Sequence, residues 1–265
     1  MKIMKKTQIR LISFLLIGLL SFQAKAALLL NGELSHEYLA QAGQQLLGHL
    51  ELQNNGTEPI EVLLTQEDSA PDGTAHAHER SNRSWVNLAQ EHVRLEPGIT
   101  QQVSYTVAVP SGLREGTYWS GINVEPVQAE TKTRPAPAGQ IRVGIKQKIR
   151  YTVSIMTHLG QGSGKIVFGK PLIRPAKDGS KQLVLKLANH GLFHSRPTVA
   201  LEVFDLRGQS LGTWQGNKRG LYPGASKTFE IALHNLKAGQ YKALLVAEDS
   251  NSGRTYGADM NLNIQ

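Results

Sequence analysis

The chain has no cysteine among its 265 residues, so no disulfide holds the fold and no thiol serves as nucleophile, metal ligand or lipid anchor. Beyond residue 26 no run approaches the ~20 apolar residues that a membrane-crossing helix needs, which excludes an integral membrane segment after processing. Helical periodicity is missing over any useful length. No Gly-x-Ser-x-Gly elbow, phosphate loop or His-Glu-x-x-His motif occurs, and no sequence element calls for a cofactor. Gly162-Ser163-Gly164-Lys165 has part of a phosphate-loop pattern but lacks the helix that must follow. These absences point to a protein that is not an enzyme.

Positive charge is also missing where it might be expected. The formal net charge is +8, but five cations and no anion lie in residues 1–26, which leaves +3 for the rest. A nucleic-acid reading built on the basic pI loses its support. Residues 27–79 contain no lysine or arginine. Residues 27–140 hold 6 Lys/Arg against 14 Asp/Glu, residues 141–159 hold 4 against none, and residues 160–265 hold 14 against 7. The asymmetry serves either attraction between two domains of one chain or a basic surface for a partner.

The first 26 residues read as a signal peptide. Lys2, Lys5, Lys6 and Arg10 precede the apolar run Leu11–Leu20, and Ala24-Lys25-Ala26 offers a cleavage site. Export to the periplasm is the expectation, with 239 residues left to fold.

Those residues read as strands. Leu28–Leu30 opens an edge strand that wanders between sheets; Leu46–Leu52 and Ile60–Leu64 flank a turn at Asn54-Asn55-Gly56; Val103, Tyr105, Val107 and Val109 alternate with polar residues. Gly116-Thr117-Tyr118-Trp119 opens another strand. The second half echoes the first. Asn189-His190-Gly191 follows a strand, and Pro223-Gly224 with Gly239-Gln240-Tyr241 repeats Pro97-Gly98 with Gly116-Thr117-Tyr118 at offsets of 126 and 123. Each tyrosine reads as a corner that bonds back to the preceding turn. The fold class is all-β, with two tandem immunoglobulin-like β-sandwich domains over residues 27–159 and 160–265, joined at a flexible hinge, Gly160–Gly164.

One stretch carries the candidate function. In Ile141–Ile155, Ile141, Val143, Ile145, Ile149, Tyr151, Val153 and Ile155 share one parity, and Arg142, Lys146, Lys148 and Arg150 the other. A strand with one apolar and one basic face is open to a partner, and it can also pair with its own copy. His76 and His78 could share a face in a loop, but with only Glu79 beside them they do not make a metal site. His36, His49, His92, His158, His190, His194 and His234 read as surface or turn residues. Trp85, Trp119 and Trp214 would be stacking platforms in a carbohydrate-binding module and core residues otherwise.

Over residues 84–155 the chain resembles the periplasmic pilus chaperones, the PapD-like proteins of the chaperone/usher pathway. Leu95-Glu96-Pro97-Gly98 before an alternating strand, Gly116-Thr117-Tyr118-Trp119-Ser120, and Ile141–Tyr151 are similar to the family's turn, its Gly-x-Tyr-x-Ser and its last long strand. The resemblance implies a non-enzymatic protein that binds an exported, pilin-like subunit by lending it a strand. It implies Ile141, Val143 and Ile145 as lent side chains, and Arg150, in Lys148-Ile149-Arg150-Tyr151, as the holder of the subunit's C-terminal carboxylate. This sequence departs from the family in having no first-strand arginine and in following Tyr151 with Thr-Val-Ser. The competing reading is a structural or adhesive envelope module of tandem sandwiches, with cell-wall binding as its outlet.

Overall fold

The structure, a computed structural model, describes residues 28–68, 78–127, 149–176 and 179–264. No helix among them is long and apolar enough to cross a membrane. The first part forms β1 (Leu28–Asn31), β2 (Ser35–Ala40), β3 (Gln45–Asn54), β4 (Ile60–Glu67), β5 (Val86–Leu88), β6 (His92–Leu95), β7 (Thr100–Ala108), β8 (Gly116–Pro126) and β9 (Tyr151–Leu159). β1-β3-β7-β5 make one sheet and β2-β9-β8-β4-β6 the other. The leading segment does wander, as its broken apolar pattern suggests: β1 joins the first sheet, and β2 crosses to the second, where it runs parallel to β9. Alternation drives the packing. Val103, Tyr105 and Val107 of β7 face inward beside Leu50 and Leu52 of β3, opposite Ile122 and Val124 of β8, and close a core between the sheets.

The second part forms β10 (Ile166–Phe168), β11 (Leu172–Pro175), β12 (Lys181–Asn189), β13 (Pro197–Phe204), β14 (Ser210–Lys218), β15 (Ser226–Ala232), β16 (Gly239–Asp249) and β17 (Thr255–Ile264). They run in the order β10-β12-β15-β14-β13-β16-β17, with β11 also on β12. A single paired position, Gly216 with Ile231, links the β14 and β15 halves, so the strands wrap as two layers around Leu183, Leu185, Leu187, Val199, Leu201, Phe229 and Ile231. No strand pairing joins β1–β9 to β10–β17 among the described residues. The chain is all-β, two immunoglobulin-like sandwiches in tandem.

The repeat extends to hydrogen bonds. Buried Asn54 donates through Nδ2 to the carbonyls of Glu58 and Leu95 at 2.8 and 3.0 Å, and its Oδ1 accepts from Gly56 N–H at 2.9 Å. Buried Asn189 donates to the carbonyls of Phe193 and Leu221 at 2.8 and 3.0 Å and accepts from Gly191 N–H at 2.9 Å. Gly98 and Gly224 sit at φ 74° and 77°, and each donates its N–H to the carbonyl of its asparagine at 2.8 Å. Both corner tyrosines close the same loop: Tyr118 bonds to the carbonyl of Arg114 and Tyr241 to that of Lys237, each at 2.9 Å.

The linker is packed, which corrects the expectation of a flexible hinge. A Cβ at Gly162 would lie 2.1 Å from the Phe193 ring, and one at Gly164 would lie 2.7 Å from Ser195. The carbonyl of Gly164 accepts a hydrogen bond from Tyr256 at 2.6 Å. Glycine here serves close approach.

Candidate partner-binding site

β9 is the hinge of the site, and it differs from the expected strand at both ends. Ile149 and Arg150 lie before it and outside any strand, and it continues past Ile155 to Leu159. Ile141, Val143, Ile145 and Lys148 lie outside the described residues. The upstream limit has a physical cause. Tyr151 pairs with Val124, and β8 ends two residues later at Pro126, which has no N–H to give a further rung. Downstream, the strand is sustained because both of its faces are covered. Val153 and Ile155 enter the core of the first sandwich, while Ser154 and Met156 turn toward the second.

The two edges of β9 end at different points. On one side β8 accompanies it from Leu159 back to Tyr151. On the other, β2 stops pairing at Ser35 opposite Ser154, with one further bond from Ser154 N–H to the carbonyl of Leu34. From Tyr151 to Val153 the β2-side edge therefore has no strand beside it among the described residues. Ile149 and Arg150, just upstream, pair with neither neighbouring strand. Tyr151 steadies this end through a 3.1 Å bond from its hydroxyl to the carbonyl of Leu28, where β1 departs for the other sheet.

Arg150 is not a bare cation. Its Nη2 lies 3.3 Å from Oε1 of Glu125, with the arginine half-exposed and the carboxylate almost covered. Next along the same face, Thr152 donates to Asn123 at 2.7 Å and Asn123 donates to Glu67 at 3.0 Å. The basic face read from the sequence becomes, among the described residues, one arginine just before β9 paired with a carboxylate and then a polar ladder along it.

The covered end of β9 meets the second sandwich. Trp119 and Met156 pack with Tyr222 and Ala225, and the Trp119 and Tyr222 rings lie 5.0 Å apart. Ser154 and Tyr222 share a hydroxyl hydrogen bond of 2.8 Å. Thr117 donates its N–H to the carbonyl of Leu192 at 2.8 Å, and its Oγ1 accepts from His194 N–H at 2.7 Å. Glu37 of β2 takes Arg196 from the second sandwich and lies 3.3 Å from Nε2 of His158, whose Nδ1 lies 2.8 Å from Thr117 Oγ1. The His158 hydrogen bond and then the Arg196 charge hold Glu37 down to about 2. Burial pushes His194 down to about 4, against the pull of Glu37.

His194 is thus a buried interdomain residue, not the surface or turn histidine that its place in the sequence suggests. Residues separated by as much as 159 positions leave no local signal of such a cluster. One signal was available. Tyr118 beside Trp119 and Ile155 beside Met156 break the in-out alternation, which is the mark of a strand buried on both faces. Trp85 and Trp119 are buried, and Trp214, partly buried, packs against the second core and ties its Nε1 to the carbonyl of His234 at 2.9 Å.

No protein-family model matches this chain, and no curated protein matches it in sequence. Solved structures do match. In architecture the chain is similar to chaperones of chaperone-usher pili. The CsuC–CsuE chaperone–tip subunit complex of Acinetobacter baumannii archaic Csu pili aligns at 15% identity and a TM-score of 0.46, over 88% of this chain and 98% of that one. The CupB2 chaperone of Pseudomonas aeruginosa aligns at 11% and 0.43, over 89% and 100%. The Salmonella enterica SafA pilin–SafB chaperone complex aligns at 14% and 0.42, over 89% and 96%.

Proposed function

We propose that this chain is a periplasmic, non-enzymatic chaperone that binds an exported, pilin-like subunit by donating the strand upstream of β9. The supporting observation is the end of β9 itself. There, among the described residues, the β2-side edge is open at Tyr151–Val153, and Ile149 and Arg150 pair with neither neighbouring strand. The upstream sequence continues the in-out alternation through Ile149, Ile145, Val143 and Ile141, so a subunit with an open groove can take alternate apolar side chains while main-chain bonds form along the edge. Lys148, Ile149 and Arg150 flank the donated segment. The partner class comes from the sequence resemblance to pilus chaperones. The domain limits that go with this reading are a leader over 1–26 and sandwiches over 27–159 and 160–265.

Arg150 has a defined part in this scheme. Its guanidinium offers five donors, of which Glu125 engages one side, so a subunit carboxylate can share it. With no cation in residues 27–79 to assist, strand pairing carries most of the affinity and the carboxylate little. The test is to isolate the tagged chain gently from its native periplasm and measure by intact mass what accompanies it in fixed ratio. A small secreted subunit that is retained by Arg150→Ala but lost on Val143→Asp with Ile145→Asp is the expected result. No stoichiometric companion, or one indifferent to the strand substitutions, rejects the proposal in favour of a structural envelope module.

A further inference from the structure

The duplicated architecture leaves one lane empty. In the first sandwich, β1 pairs with β3 and β2 crosses over to line the edge of β9. In the second, β10 pairs with β12, but β11 stays on β12 and never crosses. β17, the counterpart of β9, consequently has β16 on one side and no strand on the other among the described residues. It is also the least guarded edge among the described strands. The other terminal strands, β1, β2, β5, β6, β10 and β11, run three to six residues. β17 runs ten, pairs with β16 in unbroken register from Thr255 to Ile264, and contains neither proline nor lysine. Natural sheet edges are kept short, bent or charged, because a long flat edge is a template for another strand.

The strand's own pattern specifies that other strand. Tyr256, Ala258 and Met260 point to the core side yet are only half-buried, while Thr255, Gly257, Asp259, Asn261 and Asn263 face outward and are exposed. We propose that β17 is a self-association edge, on which a second copy of this chain pairs its own β17 antiparallel about a two-fold axis. Facing residues must share a side of the sheet, so the axis passes through Asp259 or Met260. An axis at Asp259 sets two carboxylates directly opposite each other, which is unfavourable. An axis at Met260 sets Ala258 opposite Leu262 and Tyr256 opposite Ile264 on the core side, and Asp259 opposite Asn261 on the outer side. Lys242 of β16 pairs with Asn261, so it stands in the same cross-strand row as the second copy's Asp259. The exposed outer face is thereby charge-matched in both directions.

Light scattering and sedimentation of the purified chain over a wide concentration range test this. The expected result is a concentration-dependent dimer. Asn261→Asp, which sets carboxylates opposite Asp259, weakens it at least tenfold, and adding Asp259→Lys to that variant, which makes the facing pairs opposite in charge, restores it. Both variants keep the circular-dichroism spectrum of the parent and, at concentrations where all are monomeric, its melting, since positions 259 and 261 are exposed. A monomer at every concentration overturns the assignment. So does a dimer that ignores both substitutions, or one lost instead on Val143→Asp, which would place the contact on the segment upstream of β9.

Discussion

The two sandwiches are built on the same bonds and differ at the strand that matters. Each has a buried asparagine bracing a turn, a Pro-Gly turn beneath it and a tyrosine corner, with matching distances. In the second, β16 and β17 are joined by the five residues 250–254, and β17 pairs along its whole length. In the first, residues 127–150 intervene between β8 and β9, and β9 is flanked on one side by a parallel strand that stops short. A shared frame therefore supports two kinds of final strand, one closed by a tight hairpin and one reached through a long connection and paired over only part of its second edge. The difference teaches that the specialisation lies in the connection, while the bracing bonds are common to both.

The comparison can be broken most severely at the asparagines. Asn54→Ala removes three side-chain hydrogen bonds to backbone and Asn189→Ala four, at roughly 1 kcal/mol apiece, so they should cost about 3 and about 4 kcal/mol of their own domains' stability. Denaturant melts followed by domain-specific probes check this. Comparable losses support the common frame; a neutral substitution in either domain breaks it.

Acid should act on the junction between the domains, with a smaller effect. His194 is held below its unfolded value of 6.5, so the stability it contributes is complete above that pH and is lost as pH falls toward about 4. Glu37 is depressed from 4.5 to about 2, so its contribution is complete above about 4.5 and is lost as pH falls through about 2. Both signs agree: interdomain stability decreases with acid, first through His194 and then through Glu37. Small-angle scattering across that range should report opening of the domains at low pH, and Glu37→Gln should remove the lower step. Domain separation that is independent of pH would contradict the assignment of these two groups.

Much of this frame is legible in the residues. The alternation of Val103, Tyr105 and Val107, the Pro-Gly turns and the Gly-x-Tyr openings specify strands, turns and the repeat, because each is a local signal with a local cause. The asparagine bracket is half-legible: Asn-x-Gly marks a turn at 54–56 and again at 189–191, but nothing local says that the side chain reaches Leu95 or Leu221. The interdomain cluster is not legible. Glu37, Thr117, His158, His194 and Arg196 come from three strands and a loop, and only the fold brings them together. Of the stretch Ile141–Ile155, residues 141–148 lie outside the described residues, and within the rest the strand begins only at Tyr151, although the parity of the apolar residues continues across it.

The central claim is that the residues upstream of Tyr151 are lent to a partner and are not part of the first sandwich's own core. The most direct test is the unfolding midpoint of the purified chain carrying Val143→Asp with Ile145→Asp. The account predicts a midpoint unchanged from the parent, because these side chains have no interior place in the free protein. A drop of several kcal/mol, or failure of the first domain to fold, would mean that the apolar stripe is core and would contradict strand donation.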